Sequence, residues 1–294
     1  MRRRRFFFAV PQCYNPRLSK YQQRPIDLGG LNTIPIQERG GKVRTEDFAA
    51  PPRKGLSAGQ WLDTLPRILA GHSFRKLVEA IEAARRGRKP IIWGLGGHVV
   101  KCGLAPVLID LMNRGFVTAF AMNGATAIHD FEIALCGQTS EDVEEVLPDG
   151  RFGTAEETGC EMNRACVEGA RDGLGLGEAL GRHLDSLAAP QCAPYSLLLA
   201  AWRNSAPVTV HVAIGTDTPH THPAADPTAL GAATHHDFRL FCSLVAGLDE
   251  GGVYLNIGSA VVLPEVFLKA VSVVRNLGHP LRNFTTANFE FLRH

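Results

Sequence analysis

No stretch of the 294 residues approaches the run of about 18 to 20 apolar residues that a membrane-crossing helix needs. The patch Phe6–Val10 behind Arg2–Arg5 is also shorter than a secretory leader core of roughly 7 to 15 residues. The expectation is a cytoplasmic protein without a membrane partner. No Cys-x-x-Cys pair occurs, and the seven cysteines (Cys13, Cys102, Cys136, Cys160, Cys166, Cys192 and Cys242) are odd in number and scattered. Neither a disulfide framework nor a cysteine zinc site is suggested. Internal repeats and low-complexity segments are lacking too. What is present, 45% hydrophobic and 20% charged residues at a mean hydropathy of -0.02, suits a globular chain with a full core.

The net charge of +2 conceals an uneven distribution, because residues 1–60 hold 12 Lys and Arg against 4 Asp and Glu. A basic head of this kind can touch nucleic acid or a lipid surface. No stacking aromatics or phosphate loop accompany the charge, so the favoured reading is a solvated arm over residues 1–58 that packs on an acidic body or a neighbouring subunit, with no nucleic-acid partner. Pro, Gly, Arg and Gln dominate this arm and no element period persists in it.

From residue 59 onward a domain is expected. Leu62, Leu65, Ile68 and Leu69, then Leu77, Val78 and Ile81, predict helices that stop at Arg85-Arg86-Gly87. Strands are predicted at Ile91–Trp93, Phe116–Met122, Val208–Ile214, Val253–Ile257 and Asn283–Ala287. Helices are predicted at 104–112, 128–135, 229–247 and 262–276, with a helical insertion at about 150–205. Strands alternating with helices predict an α/β fold, a mainly parallel Rossmann-like sheet with helices on both faces. Ligands of such sheets bind beyond the carboxyl ends of the strands.

The segments after the strands are therefore the candidates. Gly94-Leu95-Gly96-Gly97-His98-Val99 half-matches a dinucleotide turn, and its glycines equally suit a plain strand-to-helix turn. Asn123-Gly124-Ala125 is a second such turn, followed by His129, Asp130 and Glu132, where Asp130 is either a helix cap or a proton carrier. Ten acids against the single base Arg151 across residues 130–161 would favour a small cationic substrate, or form a solvated helical face. In the stretch His211–Pro223, Asp217, His220 and His222 have a spacing that suits a metal ion, proton transfer or a loop held by hydrogen-bonded histidines.

Taken together, residues 60–291 resemble deoxyhypusine synthase and its bacterial homologues. The resemblance rests on Pro90–Leu104 with Gly96, Gly97 and His98 at a turn, on Asn123-Gly124-Ala125, His129-Asp130 and Thr216-Asp217, on Ile257-Gly258-Ser259, and on Thr286-Ala287. It implies a Rossmann-like NAD-binding domain in a homotetramer, a dimer of dimers, with active sites between paired subunits. Gly96, Gly97, His98, Asn123, Gly124, Ala125, Asp217, Gly258, Ser259, Thr286 and Ala287 would line the NAD site, and His129, Asp130 and His220 would carry protons. Two features depart from the family: Val261–Pro264 stands where its site histidine follows the late glycine turn, and the lysine expected beyond the last strand has no match before His294. Without a lysine to hold the transferred group, deoxyhypusine synthesis itself is not expected. NAD-linked chemistry on a small amine, polyamine or basic amino acid needs no such lysine. The alternatives are a metal-dependent hydrolase or lyase built on Asp217, His220 and His222, and a non-catalytic metabolite-binding member of the fold.

Overall fold

The computed structural model describes residues 20–290; Arg2–Arg5, Phe6–Val10 and Cys13 lie outside them. Residues 20–57 are mostly exposed and carry only a short 3-10 turn at Thr45–Asp47. The arm joins the body where the Ala50 amide donates to the Thr64 carbonyl and the Arg67 amide to that of Asp47. Helix α1 (Ala58–Thr64) opens on a reciprocal cap between Ser57 and Gln60. Helix α2 (Leu69–Arg86) stops at Gly87, and its Arg75 guanidinium donates to the Leu62, Leu65 and Pro66 carbonyls, fastening the two helices together.

The remaining elements run β1 (Ile91–Leu95), α3 (Gly97–Lys101), α4 (Ala105–Asn113), β2 (Ala119–Asn123), α5 (Gly124–Cys136), α6 (Val143–Val146), α7 (Glu156–Arg171), α8 (Leu176–Leu187), α9 (Leu197–Arg203), β3 (Val208–His211), α10 (Pro227–Ala246), β4 (Val253–Ile257), α11 (Val262–Asn276) and β5 (Thr285–Phe289). All strand pairs are parallel and the sheet order is β3-β2-β1-β4-β5. This is the Rossmann-like α/β sheet that the alternation predicts.

Burial on both faces explains why the inner strands read as continuous apolar runs. Trp93, Leu95, Phe120, Met122, Val208 and Val210 face α4, α5 and the α7–α9 helices, while Ile91, Val253 and Leu255 on the same side face α2. Ile92, Ala119, Ala121 and Tyr254 face Phe241 of α10 and Ala270 of α11 on the other side. Tyr254 stacks flat on Phe267, with ring centroids 4.0 Å apart.

Strand boundaries differ from the sequence reading at β1, which runs on to Leu95, and at β2, β3 and β5. β2 begins at Ala119 because the Phe116 carbonyl accepts from the Trp93 indole and its ring lies beneath the Arg85 guanidinium. β3 stops at His211: Asp217 Oδ2 accepts from the Ala213 amide and the Thr216 amide donates to the Ala213 carbonyl, which turns the chain and leaves Ile214 exposed. β5 starts at Thr285, since Asp249 Oδ1 takes the amides of Arg282 and Asn283. No helix of the described residues is long and apolar enough to cross a membrane.

Candidate functional site

The strand order reverses at β1, whose neighbours are β2 on one side and β4 on the other. In open parallel sheets the crevice for a ligand opens at such a switch point. Here the two strand ends meet through backbone alone. The Gly96 amide donates to the Ile257 carbonyl at 2.8 Å, and a Cβ on Gly96 would lie 1.9 Å from the Gly258 carbonyl oxygen. Gly258 has φ of +72°, which glycine adopts at low cost. Ser259 Oγ accepts from the Leu263 amide, and the Asn256 amide group donates to the Ser259 carbonyl. On the β2 side a Cβ on Gly97 would lie 3.1 Å from both Ala125 Cβ and His129 Cδ2. Gly96, Gly97, Ala125, Gly258 and Ser259 thus form one cluster with His129 at its edge, and His98 is exposed on α3 beside it.

A second junction adjoins this cluster. Thr126 Oγ1 lies 2.7 Å from both the Leu95 carbonyl and Asn123 Oδ1, and the Thr126 amide donates to the same Asn123 oxygen, so the end of β1 is tied to the start of α5. Gly124 at that start packs on Asp217: a Cβ there would lie 2.0 Å from Oδ2. Burial raises the Asp217 carboxyl above its ordinary pKa, opposed by the Ala213 amide and by the neighbouring His220.

Behind Gly97, one polar chain runs from α5 to α7. His129 Nδ1 lies 2.7 Å from Thr139 Oγ1, Thr139 donates to Glu132 Oε2, and Thr158 Oγ1 donates to Glu132 Oε1 at 3.2 Å. Burial works to raise the Glu132 carboxyl, yet the neighbouring His129 ring and the hydrogen bonds from Thr139 and Thr158 outweigh it and the carboxyl titrates below its ordinary range. Glu132, Thr139 and Thr158 also form the wall of an open hollow of about 710 Å³, along with Glu141, Glu157 and Glu161. Glu161 is engaged by His183 and Arg164, and among the described residues no Lys or Arg lines the hollow. Thr139 and Thr158 carry no signal in the sequence that would have singled them out.

Other expected site residues stand apart. Asp130 is fully buried, and its oxygens accept from Ser196 Oγ (2.7 Å), the Leu197 amide (2.7 Å) and the Leu198 amide (3.0 Å). It holds the start of α9 in place, an arrangement that favours a structural role over that of a proton carrier. Burial lifts its carboxyl to about 6, against the pull of those three donors. Thr286 and Ala287 sit in mid-strand opposite Tyr254 and Leu255 and border a groove against α2, away from the glycine cluster. Asp217, His220 and His222 do not gather as ligands. His222 turns to Glu156 and takes the Ala224 amide, and no group of three or more His, Cys, Asp or Glu among the described residues is placed to hold a metal ion. His220 borders a cavity of about 20 Å³ beside Asp217 and Gly124, room for one water molecule.

A further buried acid makes a pH prediction. Asp237 on α10 accepts from the Val210 amide (2.7 Å) and the Gly177 amide (2.9 Å), yet burial dominates and lifts it to about 7. A carboxyl raised above its unfolded value of about 3.8 favours the folded state below that value, and the benefit is lost as pH rises towards 7. Chemical unfolding should therefore show stability declining between about pH 4 and 7, by roughly 4 kcal/mol from this group. Asp237→Asn should flatten that decline; an unchanged slope would show that Asp237 is not its source.

No protein-family model matches the chain, and no curated protein matches it in sequence. Solved structures with a similar fold include the arginine dihydrolase ArgZ of the cyanobacterial ornithine-ammonia cycle, at 18% identity and a TM-score of 0.41 over 68% of this chain and 26% of that one. A second is AgrE in a ternary complex with ornithine and NAD+, at 13% identity and 0.41 over 74% and 30%. A third, assigned to deoxyhypusine synthase from Entamoeba histolytica, gives 12% and 0.41 over 75% and 95%. The chain spans less than a third of the length of ArgZ and AgrE, and at these identities the likeness is one of fold.

Proposed function

We propose that the chain binds NAD at the switch point and carries out hydride exchange at the amine-bearing carbon of a small cationic substrate, a basic amino acid or polyamine. The observation that carries the reading is the parallel β3-β2-β1-β4-β5 order with glycine backbone alone at the meeting of β1 and β4. What supports a phosphate-bearing group there is the backbone of half-buried Gly258 beside the exposed His98; the side-chain positions of the buried Gly96 and Gly97 are taken by Gly258 and by Ala125 and His129. Gly96, Gly97, His98, Asn123, Gly124, Ala125, Asp217, Gly258 and Ser259 would hold the coenzyme; mid-strand Thr286 and Ala287 are left out. When bound, NAD supplies the hydride-accepting ring.

The chain's own residues bind and orient the substrate and handle the proton. Glu132, Glu141 and Glu157 of the adjoining hollow attract a cation, and His129, between that hollow and the Gly97 turn, accepts and returns the proton. His220 faces a space for a single water and serves the setting of Asp217 instead. The reading extends to a homo-oligomer, a dimer of dimers in the cytoplasm, in which the arm reaches a neighbouring copy. Its support is the exposure of Ile26, Leu28, Leu31, Ile34 and Ile36 along that arm.

NAD at a hundred times its dissociation constant should stabilise the protein by about 2.7 kcal/mol. For a chain of this size that is a rise in Tm of about 5 to 10 °C. The rise should vanish in Asp217→Ala, and reduction of NAD should then be sought with ornithine, arginine and polyamines. Absence of a rise with any dinucleotide would overturn the reading. Native mass spectrometry of the purified protein reports coenzyme, metal and subunit number together.

A further inference from the structure

We infer that Thr139 and Glu132 hold His129 as its Nδ1–H tautomer, leaving Nε2 as the atom that takes up a proton. The inference rests on the proton-carrier role proposed for His129 and adds two positioning residues to it. Hydrogen counting decides the direction. Glu132, as a carboxylate, only accepts; its Oε1 takes the Thr158 hydroxyl and its Oε2 the Thr139 hydroxyl. Thr139 has a single hydrogen, and directing it to His129 would leave a hydroxyl oxygen and a carboxylate oxygen facing each other with no proton between them. The hydrogen in the 2.7 Å contact between Thr139 Oγ1 and the ring therefore comes from His129 Nδ1.

Position agrees with this direction. Cδ2, the ring carbon bonded to Nε2, is the atom that approaches Gly97, so the Nε2 side of the ring borders the turn after β1 while the Nδ1 side is held. His129 and Glu132 side chains retain 19% and 21% exposure, which leaves the ring accessible. When Nε2 accepts a proton from a substrate ammonium or hydroxyl, the substrate keeps the electron pair and the ring becomes imidazolium. Glu132, 3.8 Å from Nδ1, offsets the new charge without itself taking the proton. Glu141 and Glu157 border the same hollow and add to the negative field.

The test is a long-range proton–nitrogen correlation spectrum of the full chain labelled with 15N-histidine. It is recorded without ligand at pH about 8.5, where an ordinary imidazole is neutral, and the His129 signals are assigned by their loss in His129→Gln. The wild type should show Nδ1 protonated and Nε2 as the bare nitrogen. Thr139→Val should shift the ring to the opposite tautomer or a mixture, Thr139→Ser should restore it, and thermal melting should confirm that each variant is folded. A wild-type ring protonated at Nε2 overturns the inference whether or not Thr139→Val folds, and so does an unchanged spectrum in a folded Thr139→Val. Because no coenzyme is present, failure of NAD binding would leave this result standing, and the two proposals fail separately. Where turnover is measurable, Thr139→Val should lower kcat at least tenfold with KM retained; a wrong tautomer costs about 10⁴-fold in the serine-protease triad.

Discussion

Asp130→Ala is expected to destabilise the protein by about 3 to 5 kcal/mol, seen as a fall in Tm of about 6 to 20 °C. The carboxylate receives the Ser196 hydroxyl and the Leu197 and Leu198 amides inside a region with no access to water. Removing it leaves three donors without partners at the start of α9, whose Leu197, Leu198 and Leu199 are fully buried. Each such donor costs on the order of 1 to 3 kcal/mol, and relaxation or an entering water recovers part of the sum. A proton carrier predicts the opposite pattern, lost activity at unchanged stability. Urea unfolding of Asp130→Ala separates the two, and a variant as stable as the wild type would return Asp130 to the list of proton carriers.

Asp130 also shows where sequence reading stops. A His-Asp pair early in a helix that follows a strand suggests a site, and its neighbour His129 does lie at the glycine cluster. The partners that make Asp130 structural come more than sixty residues later, and no local spacing reveals them. The β1 and β4 strands and the α10 and α11 helices were legible because two-sided burial writes itself as unbroken apolar runs and one-sided burial as a helical period. The order in which the strands pair is not written in any one segment, yet that order creates the switch point. Thr286 and Ala287 illustrate the same limit. Resemblance places them at the coenzyme, whereas register with Tyr254 and Leu255 sets them in the middle of an edge strand. Thr139 follows the helix-ending Gly137 and reads as ordinary loop; only the turn of the chain at Gly137, whose φ is +75°, brings it back beside α5 to Glu132 and His129.

Gly96→Ala is expected to cost about 2 to 4 kcal/mol and to abolish NAD-dependent stabilisation in the protein that remains folded. Its backbone φ of -93° is open to alanine, so the effect comes from contact and not from conformational strain. The new methyl would stand 1.9 Å from the Gly258 carbonyl oxygen and 2.3 Å from its carbon, both backbone atoms that no rotamer change can move. The ends of β1 and β4 must separate by more than 1 Å. That motion stretches the 2.8 Å bond from the Gly96 amide to the Ile257 carbonyl, adding its loss to a cost of overpacking of roughly 1 to 3 kcal/mol. A displacement of that size also matters to chemistry, since misplacing reacting groups by about 1 Å can lower rate about 10²-fold. Gly231→Ala is the matching control: it lies exposed within α10 with nothing near its Cβ position, and alanine there should stabilise by about 0.5 to 1 kcal/mol while the response to NAD is kept. If Gly96→Ala melted with the wild type and still answered to NAD, the close approach of the two strand ends would have no part in coenzyme binding.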